Sequence, residues 1–131
     1  MSEVGRGRDE RGGSNAIAVL LLTPVMMFAI IGTFQAGVWY HGRNTALHAA
    51  QAAAEAERVL QPAGGAGQQA AEAVGRQGGL TDMAVSVSRT ATTVTVTMTA
   101  QVPMFIDIGV GRFTENVTVP RERLTCAPGS C

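Results

Sequence analysis

The side chains that could do chemistry are few and widely spaced. His41 and His48 are seven residues apart, whereas two histidines that share a metal on one helix are usually three or four apart. Asp82 and Asp107 have no acidic partner close to them in the sequence. Residues 109–111 (GVG) lack the strand and helix that flank a phosphate-binding loop. We therefore predict no catalytic residue, no metal site, no cofactor and no enzymatic activity.

The two cysteines, Cys126 and Cys131, both lie within the last six residues. In an oxidising compartment they could close a small disulfide loop. Two unpaired thiols in a disordered tail are the other interpretation. A metal-binding pair is disfavoured, because no histidine or third cysteine is near them in the sequence.

An uncharged stretch near the N-terminus dominates the sequence, with no Asp, Glu, Lys or Arg from Gly12 to Gly42. A helix needs about 20 apolar residues to cross a hydrocarbon core, and residues 16–40 exceed that length. Trp39 and Tyr40 end this run, where amphipathic rings prefer the membrane interface. The segment predicts a transmembrane helix, and membrane lipid is its first partner.

The charges that flank this segment indicate its orientation. Arg6, Arg8 and Arg11 precede it, whereas only Arg43 follows it closely. Because Lys and Arg favour the cytoplasmic side, the N-terminus is predicted in the cytoplasm and the C-terminal domain outside. A cleaved secretory signal is the alternative, but its apolar core would be shorter, at about 7–15 residues.

Small residues within the apolar run predict packing between helices. Gly32 and Ala36 are four residues apart, and Thr33 and Gly37 repeat the spacing on the next stripe. Small side chains at this spacing let two helix backbones approach closely. The other interpretation is that the spacing arises by chance, since Gly and Ala are abundant throughout the chain. The partner would be a second copy or another membrane protein.

The remainder of the chain predicts a small α+β domain. Residues 44–61 are rich in alanine and should continue the membrane helix as a stem, with Gly42 only a weak interruption. Residues 62–67 end it, and residues 68–76 predict a short second helix. Alternating residues predict strands over 83–87 and 93–102, and a third is expected over 115–119 after an apolar connection at 105–113. One face of the second strand carries Val94, Val96, Met98, Ala100 and Val102, and the other carries threonines. The apolar face needs a cover, which the second helix or the stem could supply.

The fold class is therefore α+β, with a long N-terminal transmembrane helix continuing into a stem, then an antiparallel sheet of about three strands with a short helix. We expect a cytoplasmic leader over residues 1–13, the transmembrane helix and stem over 14–61, and an extracytoplasmic domain with a flexible C-terminal tail over 62–131. Acidic and basic residues number ten each, so no nucleic-acid partner is expected.

The N-terminal third resembles a known family. Residues 11–14 (RGGS), an apolar helix containing Pro24 and an alanine-rich extension resemble the TadE-like pilus-assembly proteins, minor pilins or pseudopilins of the tight-adherence (Flp) type IV pilus. The resemblance implies cleavage by a prepilin peptidase between Gly13 and Ser14. Pilin-like families usually have Glu at the fifth mature position, where this chain has Ala18. An uncut anchor is therefore the alternative.

These observations predict a membrane-anchored, pilin-like component of a Flp/Tad pilus or secretion system, which acts structurally through helix packing. Its partners would be other Tad-system membrane proteins or a second copy. The alternative is a signal-anchored binding or scaffold module outside the membrane that is unrelated to a filament.

Overall fold

The computed structural model describes residues 11–59, 61–106 and 109–123, with side chains from residue 15 onward. It contains two helices and a three-stranded antiparallel sheet, which confirms the predicted α+β class. The chain divides into two compact units, Met1–Phe34 and Gln35–Cys131. The elements are α1 (Arg11–Arg58), α2 (Ala66–Gln77), β1 (Thr81–Arg89), β2 (Thr93–Gln101) and β3 (Arg112–Pro120).

The first unit consists of the N-terminal part of α1, with Pro24 inside the helix. Thr23 donates its hydroxyl to the carbonyl of Val19 at 2.7 Å. Proline has no N–H, so the carbonyl left without its helical donor is that of Leu20, one residue further on. Thr23 therefore bonds the neighbouring carbonyl and does not replace the hydrogen bond that Pro24 removes.

The second unit is built on the sheet, in which β2 lies between β1 and β3. The side chains of β2 alternate between the two faces, as predicted from the period of two. Four of them, together with Val102 just beyond the strand, point into the core: Val94, Val96, Met98 and Ala100. The threonines between them form the outer face. Because one face is buried and the other polar, the register of β2 is fixed.

The C-terminal part of α1 covers the buried face of the sheet. Its alanines recur at intervals of three and four residues, which is the spacing of one helix face. Five of them are fully buried in the same core as β2: Ala46, Ala49, Ala50, Ala53 and Ala54. Alanine brings the helix backbone close to the sheet. The predicted alanine-rich stem thus covers the sheet, and α2 packs beside β1.

Two glycines lie where a neighbouring side chain approaches the backbone most closely. A Cβ on Gly42 of α1 would lie 2.0 Å from Cγ1 of Val102 and 3.3 Å from Cζ of Phe113. A Cβ on Gly78, which follows α2, would lie 2.1 Å from Cγ2 of Thr45. Gly42 is therefore a packing position rather than a weak point of the helix.

The ends of several elements differ from the predictions, and the differences are largest at α1 and β3. α1 ends at Arg58 rather than Gln61, because Pro62 would clash with the carbonyl of residue 58 if the helix continued. That carbonyl instead accepts the N–H of Glu122 at 3.0 Å. β3 begins at Arg112, before the predicted Glu115, because Phe113 packs into the core opposite Ala100.

Candidate membrane and assembly surfaces

The residues first considered for chemistry do not come together. His41 and His48 are both exposed on α1. Asp82 lies at a bulge in β1, with φ 47°, a conformation that Asp tolerates better than most residues. Among residues 11–59, 61–106 and 109–123, no three His, Cys, Asp or Glu side chains form a group that could hold a metal.

Several predicted positions lie where the structure describes no side chain. Gly13 and Ser14, which flank the predicted cleavage point, both lie within α1. Asp107, Cys126 and Cys131 lie outside the described residues. Cleavage and disulfide formation therefore stay predictions.

The apolar part of α1 is exposed on all sides. Large side chains are 55–76% exposed from Ile17 to Phe34, apart from the half-buried Ile31, and threonine hydroxyls there bond back to the helix, as Thr33 does to Ala29 at 2.8 Å. The helix is long and apolar enough to cross a membrane, and its most apolar 18-residue window has no buried residue. The core helix of a soluble protein would be mostly buried.

The predicted helix-packing residues lie on this exposed surface. A Cβ on Gly32 or Gly37 would meet no atom of the described residues within 4 Å beyond the adjoining turns of α1, and Ala36 is exposed. The small-residue stripe is therefore not used to pack α1 against the described part of the same chain. Its use in packing against another helix stays a prediction.

A charged contact follows the apolar run. Nε of Arg43 lies 2.7 Å from Oε1 of Glu115 on β3, and the guanidinium lies 5.7 Å from the centre of the Trp39 ring. Arg43 is the first charged residue after the uncharged stretch. The pair joins α1 to the sheet, and the Trp39 contact fits an amphipathic ring near a polar interface.

Glu57 forms a buried polar junction that the sequence did not reveal. Its side chain is only 3% exposed, and Oε1 accepts the backbone N–H of Gly67 at 2.8 Å. Gly65, the N-cap of α2, has no side chain to supply this bond, so Glu57 caps α2 from another helix. Oε2 of Glu57 pairs with the guanidinium of Arg89 at the end of β1.

The outer face of the sheet carries ordered hydroxyls. Oγ1 of Thr95 lies 3.0 Å from Oγ1 of Thr118, and Thr99 makes the same contact with Thr114 at 3.1 Å. These residues are directly opposite each other on β2 and β3. Cross-strand pairs of this kind stabilise a sheet modestly, so a structural role accounts for them without a ligand.

An exposed apolar helix followed by a small α+β domain indicates a membrane-anchored protein, and within the part of the chain that the structure describes α1 is the one candidate span. The family model described as TadE-like protein matches residues 16–55, all within α1, and the resemblance recognised from the sequence is thereby confirmed over that segment. The match supports a Tad pilus-associated protein with a membrane-spanning helix. No curated protein and no solved structure matches the chain.

Proposed function

We propose that the protein is a pilin-like component of a Tad pilus or secretion system, held in the membrane by α1 and recruited into the complex through helix packing. The TadE-like match over residues 16–55 supports this proposal, because the family is a structural pilus-assembly family. The N-terminus would be cytoplasmic and the sheet domain extracytoplasmic, as the arginines before the span favour.

One observation carries the proposal: the two parts of α1 differ sharply in what they contact. Residues 15–34 bury none of their side chains fully, whereas five alanines between residues 46 and 54 are fully buried under the sheet. The sheet domain thus has its cover without the apolar part of the helix. The apolar part, with Gly32 and Ala36 exposed, is available for lipid and for other helices.

We expect Gly32→Leu combined with Ala36→Leu to abolish co-purification with the other membrane proteins of the system. Leucine at both positions would hold a neighbouring helix too far away to pack, while the sheet domain stays folded. The measurement is crosslinking in native membranes, followed by affinity purification through a C-terminal tag.

Phe34→Leu is the matched control for this double variant. Residue 34 is about 200° around the helix from both positions, since each residue turns the helix by about 100°. Phe34 is 76% exposed, so its replacement keeps an apolar surface without changing the small-residue stripe. Undiminished co-purification of the double leucine variant would contradict the proposed packing surface.

A second prediction concerns the mature N-terminus, determined by sequencing the protein purified from membranes. We expect the chain to begin at Ser14, because residues 11–14 resemble the cleavage region of the family. A start at Met1 or Ser2 would mean a permanent signal anchor and would favour a membrane scaffold.

The second candidate function is a membrane-tethered binding module, for which the polar outer face of the sheet would be the binding surface. Replacing Thr97 and Asn116, which face each other on that surface, with alanine distinguishes the two functions. Loss of function in this variant alone, with the double leucine variant unaffected, would favour the binding module.

A further inference from the structure

The loop between β2 and β3 exposes apolar side chains at one end of the sheet domain. Phe105 is 89% exposed, Val110 48% and Ile106 44%, although larger apolar side chains are normally covered. The base of the loop is closed, since the N–H of Val102 donates to the carbonyl of Gly111 at 3.0 Å. These side chains are therefore presented on a defined connection and not on a chain terminus.

Contacts with α1 give the direction in which this loop extends. At its base, Val102 and Phe113 lie against Gly42. Further along, the side-chain amide of Gln35 makes a complementary pair of long hydrogen bonds to the backbone of Ile106, at 3.4 and 3.5 Å. From Gly42 to Gln35 the helix rises about 10 Å. The loop thus runs along α1 toward its apolar part.

The level that the loop reaches matches the edge of a bilayer. A span of about 20 residues that begins at Ala16 ends at Gln35. Ile106 lies beside Gln35, on the membrane side of Trp39 and Tyr40. We infer that the β2–β3 loop inserts Phe105 and Ile106 into the lipid interface, so that the sheet domain rests on the same bilayer that α1 crosses.

The neighbouring charges fit a lipid surface. Arg43 and Arg112, near the base of the loop, are exposed and lie where phosphate headgroups would be. Aromatic and aliphatic side chains bind favourably at the boundary between headgroups and acyl chains. The loop sequence also contains Asp107, and a charge in hydrocarbon is costly, so insertion is limited to the headgroup region. The inference rests on α1 spanning the bilayer.

Fluorescence quenching in vesicles tests this inference. The full chain, with Cys126 and Cys131 changed to Ser, carries Phe105→Cys labelled with an environment-sensitive fluorophore. It is reconstituted in phosphatidylcholine and phosphatidylglycerol vesicles whose phosphatidylcholine acyl chains are brominated close to the headgroup. We expect the label to shift its emission to the blue and to be strongly quenched.

The matched control is Ser88→Cys with the same label, because Ser88 is exposed near the opposite end of the sheet and pairs with Thr95. Its emission should match that of the free fluorophore in buffer, with little quenching. Trp39 reports independently on α1 and should be quenched in both proteins. Since Phe105 is almost fully exposed, its replacement removes little packing.

The outcomes separate the loop from the anchor. Quenching of Trp39 without quenching of the label at position 105 would overturn the inference and leave the membrane anchor intact. If neither Trp39 nor the label at position 105 were quenched, α1 would not be inserted in the bilayer and the membrane anchor would be contradicted. Equal quenching at positions 105 and 88 would contradict a specific role for the loop. If Phe105→Glu weakened the binding of a protein partner but left the lipid quenching of a label at Val110→Cys unchanged, the loop would be a protein-binding surface and the inference would be wrong.

Discussion

Gly42→Val is expected to lower the free energy of unfolding of the sheet domain by about 3 kcal/mol, the upper part of the usual range for overpacking a core. The added Cβ alone would lie 2.0 Å from Cγ1 of Val102, which is buried and stiff at its branched Cβ. Phe113 closes the other side, so the helix must move away from the sheet. The measurement is the midpoint of urea unfolding in detergent, with the unfolded fraction detected by its susceptibility to trypsin.

Asn44→Ala is the control for this substitution. Asn44 is exposed two residues further along the same helix, and alanine has the higher helix propensity. We expect it to leave the unfolding midpoint unchanged or to raise it slightly. An equal midpoint for Gly42→Val and the unchanged protein would contradict the close approach of α1 to the end of β2.

Glu57→Ala is the second large effect, with an expected loss of about 3 kcal/mol, because the buried N–H of Gly67 loses its acceptor and the half-exposed Arg89 loses its partner. The substitution leaves the N–H of Gly67 at the start of α2 without its acceptor and leaves Arg89 without its partner. Glu57→Gln should cost less, because the amide oxygen still accepts from Gly67. Both losses are measured by the same urea unfolding.

Glu55→Ala provides the comparison, since Glu55 is an exposed acid two residues away that pairs with Arg58 at 2.8 Å. An exposed pair contributes only about 0–1 kcal/mol. A similar small loss for Glu57→Ala would show that the junction of α1, α2 and β1 contributes little to stability. A double-mutant cycle with Arg89→Ala isolates the ion pair from the hydrogen bond to Gly67.

The sequence was sufficient to predict the elements whose pattern is periodic. The alternation along β2 identified both its buried and its polar face, because every second side chain of this central strand points into the core and the others point to the outer face. The alanine run identified a helix that could cover the sheet. Glu55 and Arg58 are three residues apart, a spacing at which helix geometry alone accounts for their pair.

Contacts between distant segments were not predictable in the same way. Gly42 is 60 residues before Val102, and nothing near it in the sequence marks a close approach. Glu57 looks like its neighbour Glu55, yet one is buried and the other exposed. Glu57 follows Ala53 and Ala54 by four and three residues, so the alanine spacing places it on the buried face of α1, but no feature of the sequence indicates that it meets Gly67. The exposed loop at Phe105 was likewise interpreted as a simple connection.

The route of the chain after β3 decides where cargo could be attached to this protein. Arg121 donates its N–H to the carbonyl of Thr92 at 2.9 Å, and Glu122 donates to Arg58 at the end of α1. The described chain thus leaves the domain beside the β1–β2 turn, at the opposite end from the β2–β3 loop. A reporter or antigen fused after residue 123 would therefore leave the sheet domain at the end opposite the β2–β3 loop and would not obstruct that loop.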